Sequence, residues 1–108
     1  IFMKVNTRMV LELSNHENIS ESAINFFVEL ATRELLLQDT LVASNADLVR
    51  VIDLATSERS VQRWVKLLED AGLINREKIK IRHDRFLRKI SLSKTGKVAQ
   101  AKLLDQLN

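Results

Sequence analysis

The sequence predicts an α+β domain, mainly helical with one small β hairpin. Three observations carry this. Apolar residues recur at helical spacing in separate stretches, most clearly Val61, Trp64, Val65 and Leu68 at i, i+3, i+4 and i+7. After Gly72 the period changes to two, and apolar residues alternate with basic ones as far as Leu92. At 108 residues and 45% hydrophobic, the chain has the length of one domain and the apolar content for a core without staples.

Residues 1–14 come first. Ile1, Met3, Val5, Met9, Leu11 and Leu13 alternate with Lys4, Asn6, Arg8, Glu12 and Ser14, which predicts an extended segment. Phe2, Val5, Met9, Val10 and Leu13 form a competing helical stripe. Ser14 to Asn18 read as a loop. Ser20 is placed to cap a helix over about 21–37, with Glu21 favourable at its positive end and Ile19 and Ile24 spaced as a hydrophobic staple. That helix holds more apolar residues than one stripe needs, so it is either central to the domain or half of a dimer interface.

Ser44 or Asn45 caps a short helix over about 46–54, with Leu48, Val49, Ile52 and Leu54 inward. Ala55-Thr56 make a tight break, and Ser57 caps the next helix over about 58–71. Gly72 stands where a left-handed residue must end it. Two strands follow, 73–81 and 86–92, turning near Arg82-His83-Asp84-Arg85. Ser93 caps a last amphipathic helix with Val98, Ala101, Leu103, Leu104 and Leu107 on its apolar side. The divisions are an N-terminal segment and dimerisation helix at 1–43, a helix-turn-helix at 44–72, a hairpin at 73–92 and a final helix at 93–108. The opening Ile1-Phe2-Met3 reads as the edge of a trimmed fragment.

Charge is distributed unevenly. Residues 1–75 carry seven Lys/Arg against eleven Asp/Glu, whereas residues 76–97 carry nine against two, a local balance of +7 within a net +3. A basic segment on an otherwise acidic chain predicts a polyanionic partner, and nucleic acid is the commonest. The plainer alternative is a solvated charged hairpin. No cysteine is present, which excludes disulfides, Cys-based zinc sites and thiol catalysis, and fits a reducing, cytoplasmic setting. His16 and His83 lie apart without a carboxylate at ligand spacing. The single carboxylates Glu17, Glu21, Glu29, Asp47 and Asp53 show no catalytic pairing, and Gly72 and Gly96 are the only glycines, so no phosphate-binding glycine loop exists. These features predict no enzyme, no metal and no cofactor. No apolar run approaches the roughly 18–20 residues of a membrane span.

Short helix, tight turn, second helix and basic hairpin is the order of a winged helix-turn-helix, whose second helix enters the major groove while the hairpin meets the backbone or a minor groove. The second helix has the required two faces. Trp64 belongs to its core side, and Arg59, Gln62, Arg63 and Lys66 lie opposite. Arg and Gln pair bidentately with guanine and adenine edges, while Ser57, Glu58 and Ser60 form the N-terminal turn, where hydroxyls and backbone amides can hold a phosphate. In the hairpin, Lys78, Lys80, Arg82, His83, Arg85, Arg88 and Lys89 complete the expected contact set for double-stranded DNA. The plainer reading of His83, and the one its place at the tip favours, is a polar turn residue.

Ser57-Glu58-Arg59-Ser60-Val61-Gln62-Arg63-Trp64 and Leu67 to Arg76 resemble the recognition helix and exit of bacterial winged-helix proteins. Asp84-Arg85-Phe86-Leu87-Arg88 and Leu92-Ser93-Lys94-Thr95-Gly96 are similar to the wing and following cap of MarR-type regulators. The resemblance covers residues 44–97. It implies that Arg85 reaches a minor groove with Asp84 orienting it, and that the protein regulates transcription as a homodimer. MarR-type proteins are longer and dimerise through helices at both ends, whereas this chain stops twelve residues after Gly96 and its first stretch does not read as their first helix. The Arg59 to Trp64 stretch is also similar to winged-helix domains of phage and plasmid replication initiators. A protein-docking module on the same fold is the further alternative; it would carry an acidic or apolar face where Arg59, Gln62, Arg63 and Lys66 stand.

Overall fold

A computed structural model describes residues 7–13, 19–51, 57–83 and 85–107 of the chain. Five α-helices and three strands follow in the order α1 (Thr7–Leu13), α2 (Glu21–Glu29), β1 (Thr40–Ala43), α3 (Asn45–Val51), α4 (Glu58–Asp70), β2 (Ile74–Arg82), β3 (Arg85–Leu92) and α5 (Lys94–Leu107). The class is α+β, as expected.

The first stretch corrects the extended reading: residues 7–13 are helical. Val10 is fully buried and Met9, Leu11 and Leu13 pack against the core, so contact with α2 and α5 decides between two equally patterned alternatives. Residues 1–6 and the loop expected at 14–18 lie outside the described residues.

Ser20 caps α2 as expected, its hydroxyl oxygen accepting from the Ala23 amide at 3.2 Å. Ile19 and Ile24 are both buried. Past Glu29 the helix widens into a π turn over Leu30–Glu34, and the Leu35 amide donates to the Leu30 carbonyl at 2.8 Å. It ends at Glu34, three residues short of the expected Leu37. The Gln100 side-chain amide donates to the Ala31 and Leu35 carbonyls at 2.7 and 3.1 Å, satisfying acceptors that this irregular end would leave open. The apolar surplus of α2 has an explanation within the chain. Ala23, Ile24, Phe26, Phe27, Leu30 and Ala31 are all buried because α2 and its π turn are packed by α1, α4 and α5.

The sheet has three antiparallel strands in the order β1-β3-β2, one strand more than the hairpin alone. β1 pairs with β3, Thr40 opposite Ser91 and Ala43 opposite Arg88. β1 leads directly into α3, whose start is a reciprocal cap. The Ser44 hydroxyl accepts from the Asp47 amide at 3.1 Å, and an Asp47 carboxylate oxygen accepts from the Ser44 amide at 3.2 Å. Leu48 is buried as expected; Ile52, Leu54 and the break at Ala55-Thr56 lie outside the described residues.

Ser57 caps α4 through the Ser60 amide at 3.2 Å. Gly72, at φ 80°, ends it. The Leu73 amide donates to the Leu68 carbonyl and the Gly72 amide to the Glu69 carbonyl, each at 3.0 Å, the two bonds of a Schellman cap. Ser93 then closes the base of the hairpin. Its amide donates to the Leu73 carbonyl at 3.1 Å, its hydroxyl donates to the Gly72 carbonyl at 2.5 Å, and the same hydroxyl accepts from the Gly96 amide at 3.0 Å as the cap of α5.

The buried face of α5 differs from the expectation. Ala99 and Leu103 are buried, whereas Val98 and Ala101 are exposed. Gly96 explains the rotation, because it packs so closely on the Leu73 carbonyl that a Cβ there would overlap the oxygen. The helix must turn its smallest side, Gly96 and Ala99, toward the hairpin base. Among the described residues, no helix is long and apolar enough to cross a membrane.

Replacing Gly96 by alanine is expected to cost about 1–3 kcal/mol, since the overlapping atom is backbone and cannot rotate away. Gly72→Ala, forced to a positive φ, is expected to cost about 1 kcal/mol. Thermal unfolding checks both: each kcal/mol lowers the midpoint by about 4–8 °C in a domain of this size.

Candidate nucleic-acid interface

The orientation of α4 is fixed by its apolar side. Val61, Val65 and Leu68 are buried, and the half-buried Trp64 ring tilts against Phe26 with centroids 5.4 Å apart. That packing turns Arg59, Gln62, Arg63 and Lys66 outward together, and all four are exposed. None of the three cations has an ion-pair partner among the described residues. At the N-terminal turn Ser57 and Glu58 are exposed and Ser60 is half-buried. The Ser57 hydroxyl also donates to the Ser60 hydroxyl oxygen at 3.1 Å, so these two serines are engaged with each other as well as with the cap.

Strand pairing sorts the hairpin cations by face. Lys78 stands opposite Arg88 and Lys80 opposite Phe86, on the face that continues outward from the buried Ile74, Ile90 and Leu92. This inner face is the one turned toward α4: Arg76, on the same side, reaches Glu69 of α4 at 3.2 Å. Beyond Arg76 the core has ended. Lys78 and Lys80 are exposed and Arg88 is half-buried. The Lys78 ammonium lies 4.0 Å from the centroid of the Phe86 ring.

Lys89 is on the other face. It stands opposite Glu77 on one side and Val42 on the other, and with Thr40, Asn75, Glu77 and Ser91 it lines a shallow depression that Arg76 also borders. The expected contact set is therefore not one surface. Lys78, Lys80 and Arg88 are brought together on the α4 side, and Lys89 is separated from them. A register irregularity between Lys80 and Arg82 places Arg82 opposite Arg85 at the tip, where Arg82 and His83 are exposed. Asp84 and the side chain of Arg85 lie outside the described residues.

Two features of this surface escaped the sequence reading, the Phe86–Lys78 pair and the Arg76–Glu69 bridge. Both depend on pairing register: counting outward from Arg82 opposite Arg85 sets Phe86 against Ile81, and the irregularity between Lys80 and Arg82 moves it to Lys80, beside Lys78. Among the described residues, no three His, Asp or Glu side chains stand together as a metal site needs.

A solved structure, that of RV1404 from Mycobacterium tuberculosis, is similar to this chain with a TM-score of 0.59 at 19% sequence identity. The match covers 93% of this chain and 60% of that one, so the chain spans about three-fifths of the length of that protein. The likeness is one of fold. No family model matches the sequence, and no curated protein matches it.

Trp64 is the sole tryptophan and touches α2, so it reports how α4 is held. Phe26→Ala is expected to destabilise the fold by about 3–5 kcal/mol. It should also shift Trp64 fluorescence to longer wavelength before unfolding begins. An unchanged native emission spectrum would show that Phe26 does not set the seat of α4.

Proposed function

We propose that this protein is a winged helix-turn-helix domain, similar to MarR-type regulators, that binds double-stranded DNA and reads its sequence. One observation carries the reading. The outward face of α4 carries Arg59, Gln62, Arg63 and Lys66 between the acidic Glu58 and Asp70 at its ends, and the hairpin beside it holds three further cations on the sheet face from which Arg76 reaches the same helix. Arg63 and Gln62, one turn into α4, are the base readers, because both are long, exposed and capable of bidentate pairing. Arg59 and Lys66 flank them toward the backbone. Lys78, Lys80 and Arg88 supply phosphate attraction, with Arg82 and His83 beyond them at the tip. In this reading the protein is a cytoplasmic binding protein, not an enzyme. The same surface would serve a regulator of transcription or an initiator of replication.

Selection from random duplexes followed by titration tests the reading. Affinity should fall with salt, with a log–log slope of about −0.9 for each phosphate contacted. Arg63→Ala should cost about 1–3 kcal/mol on the selected duplex and relax preference at particular base pairs. Lys78→Ala should weaken all duplexes alike and reduce the slope by about one. Lys89→Ala, on the far face opposite Glu77, should change either quantity least. If Arg63→Ala left selected and random duplexes bound as before, α4 would not be the reader, and a protein-docking role would take its place.

The proposed unit on DNA is a two-fold dimer, as paired half-sites require. Exposed Leu36, Leu37 and Val98 support it, with Leu37 93% exposed. Sedimentation at micromolar concentration should show a dimer that Leu37→Glu converts to monomer without loss of thermal stability. A wild-type protein that stays monomeric with and without duplex overturns this part of the proposal.

A further inference from the structure

We propose that Phe86 is an apolar wedge, inserted between stacked base pairs from the minor-groove side when the hairpin engages duplex DNA; this rests on the DNA-binding reading above. Phe86 lies outside the core and is 39% exposed, so it does not serve packing as Phe26 and Phe27 do. Its neighbours on that face are cations: Lys80 directly opposite, Arg88 two residues along its own strand, and Lys78 over the ring. An aromatic ring ringed by positive charge on a projecting ribbon is carried onto a polyanion wherever those cations go. Proteins that enter the minor groove combine cationic side chains with such apolar wedges and partly unstack the step they enter.

The Lys78 contact explains how the ring is kept in water. The ammonium rests on one ring face at 4.0 Å and shields apolar surface from solvent. A phosphate oxygen is a stronger partner for an ammonium than an exposed ring. On the duplex, Lys78 exchanges the ring for phosphate, and the uncovered face stacks on a base.

Duplexes selected as above, carrying 2-aminopurine at successive positions and dyes at both ends, test this. Wild-type protein should raise 2-aminopurine fluorescence at one step of each half-site and shorten the end-to-end distance, as a kink of about 20° or more requires. Phe86→Leu, still apolar, should retain both signals. Phe86→Ala should lose both, with affinity lower by about tenfold and the salt slope unchanged. Circular dichroism should show all variants folded, since the position lies outside the core. If Phe86→Leu loses the signals as fully as Phe86→Ala, the ring serves only to hold Lys78, and the wedge is overturned. Wild-type binding without any unstacking overturns the wedge and leaves the DNA-binding reading standing. Absence of duplex binding altogether removes both.

Discussion

The seat of Ser93 against Gly72 and Leu73 is the constraint on which the rest of the molecule depends. Two successive carbonyls at the exit of α4 are taken by one residue, one by its amide and one by its hydroxyl, and the same hydroxyl begins α5. Ile74 and Leu92, the neighbours of this clamp, are opposite each other in the sheet. The end of one helix, both ends of a hairpin and the start of another helix are thus joined within a few residues. The angle between α4 and the hairpin is set by backbone hydrogen bonds and a positive φ at Gly72, which leave little freedom. The Arg76–Glu69 bridge sits on a geometry already decided, and a partly exposed ion pair of that kind contributes little to stability.

Above that clamp the hairpin changes character within one strand. Ile74 is buried, Arg76 is half-buried and bridged, and Lys78 is exposed. The core ends before the cations begin, so the charged part of the ribbon is free of packing duties. Location by face matters more here than the total of +7. Exposed charges are screened within about 8–10 Å at ordinary ionic strength, and a cation on the far side of the sheet adds little to the field beside α4. Lys89 illustrates this, as its nearest charged neighbour in the pairing is Glu77.

The caps were legible in the sequence because their chemistry is local. Ser20, Ser57 and Ser93 each meet an amide three residues ahead, and Gly72 supplies the conformation its position requires. The inward side of α4 was legible for the same reason, its four apolar residues lying within two turns. What failed depended on distant partners. Residues 7–13 fit either period, and burial of Val10 in the core decides between them. Thr40–Ala43 is too short to announce a strand and exists through its pairing with a segment nearly fifty residues later. The face of α5 was misjudged because Gly96 and Ala99 weigh little on any hydrophobic scale, although close approach at Leu73 makes them the inward pair. Of the candidate interface, the residue types were legible and the division of hairpin cations between two faces was not drawn from them.

The π turn in the second helical segment bears on how this chain tolerates changes of length. Such a turn holds one residue more than the α turn it replaces, so Leu30–Glu34 already contains an accommodated insertion. Deleting a residue there would restore ordinary α winding and leave the residues after it close to their present faces, because the widened turn absorbs the extra residue. Deleting one from the regular turns of α2 would instead rotate everything after it by about 100° and carry Leu35, now 4% exposed, out of the core. A loss at the π turn is therefore felt locally, where Gln100 meets the Ala31 and Leu35 carbonyls, while a loss earlier in the helix is felt in every element that follows.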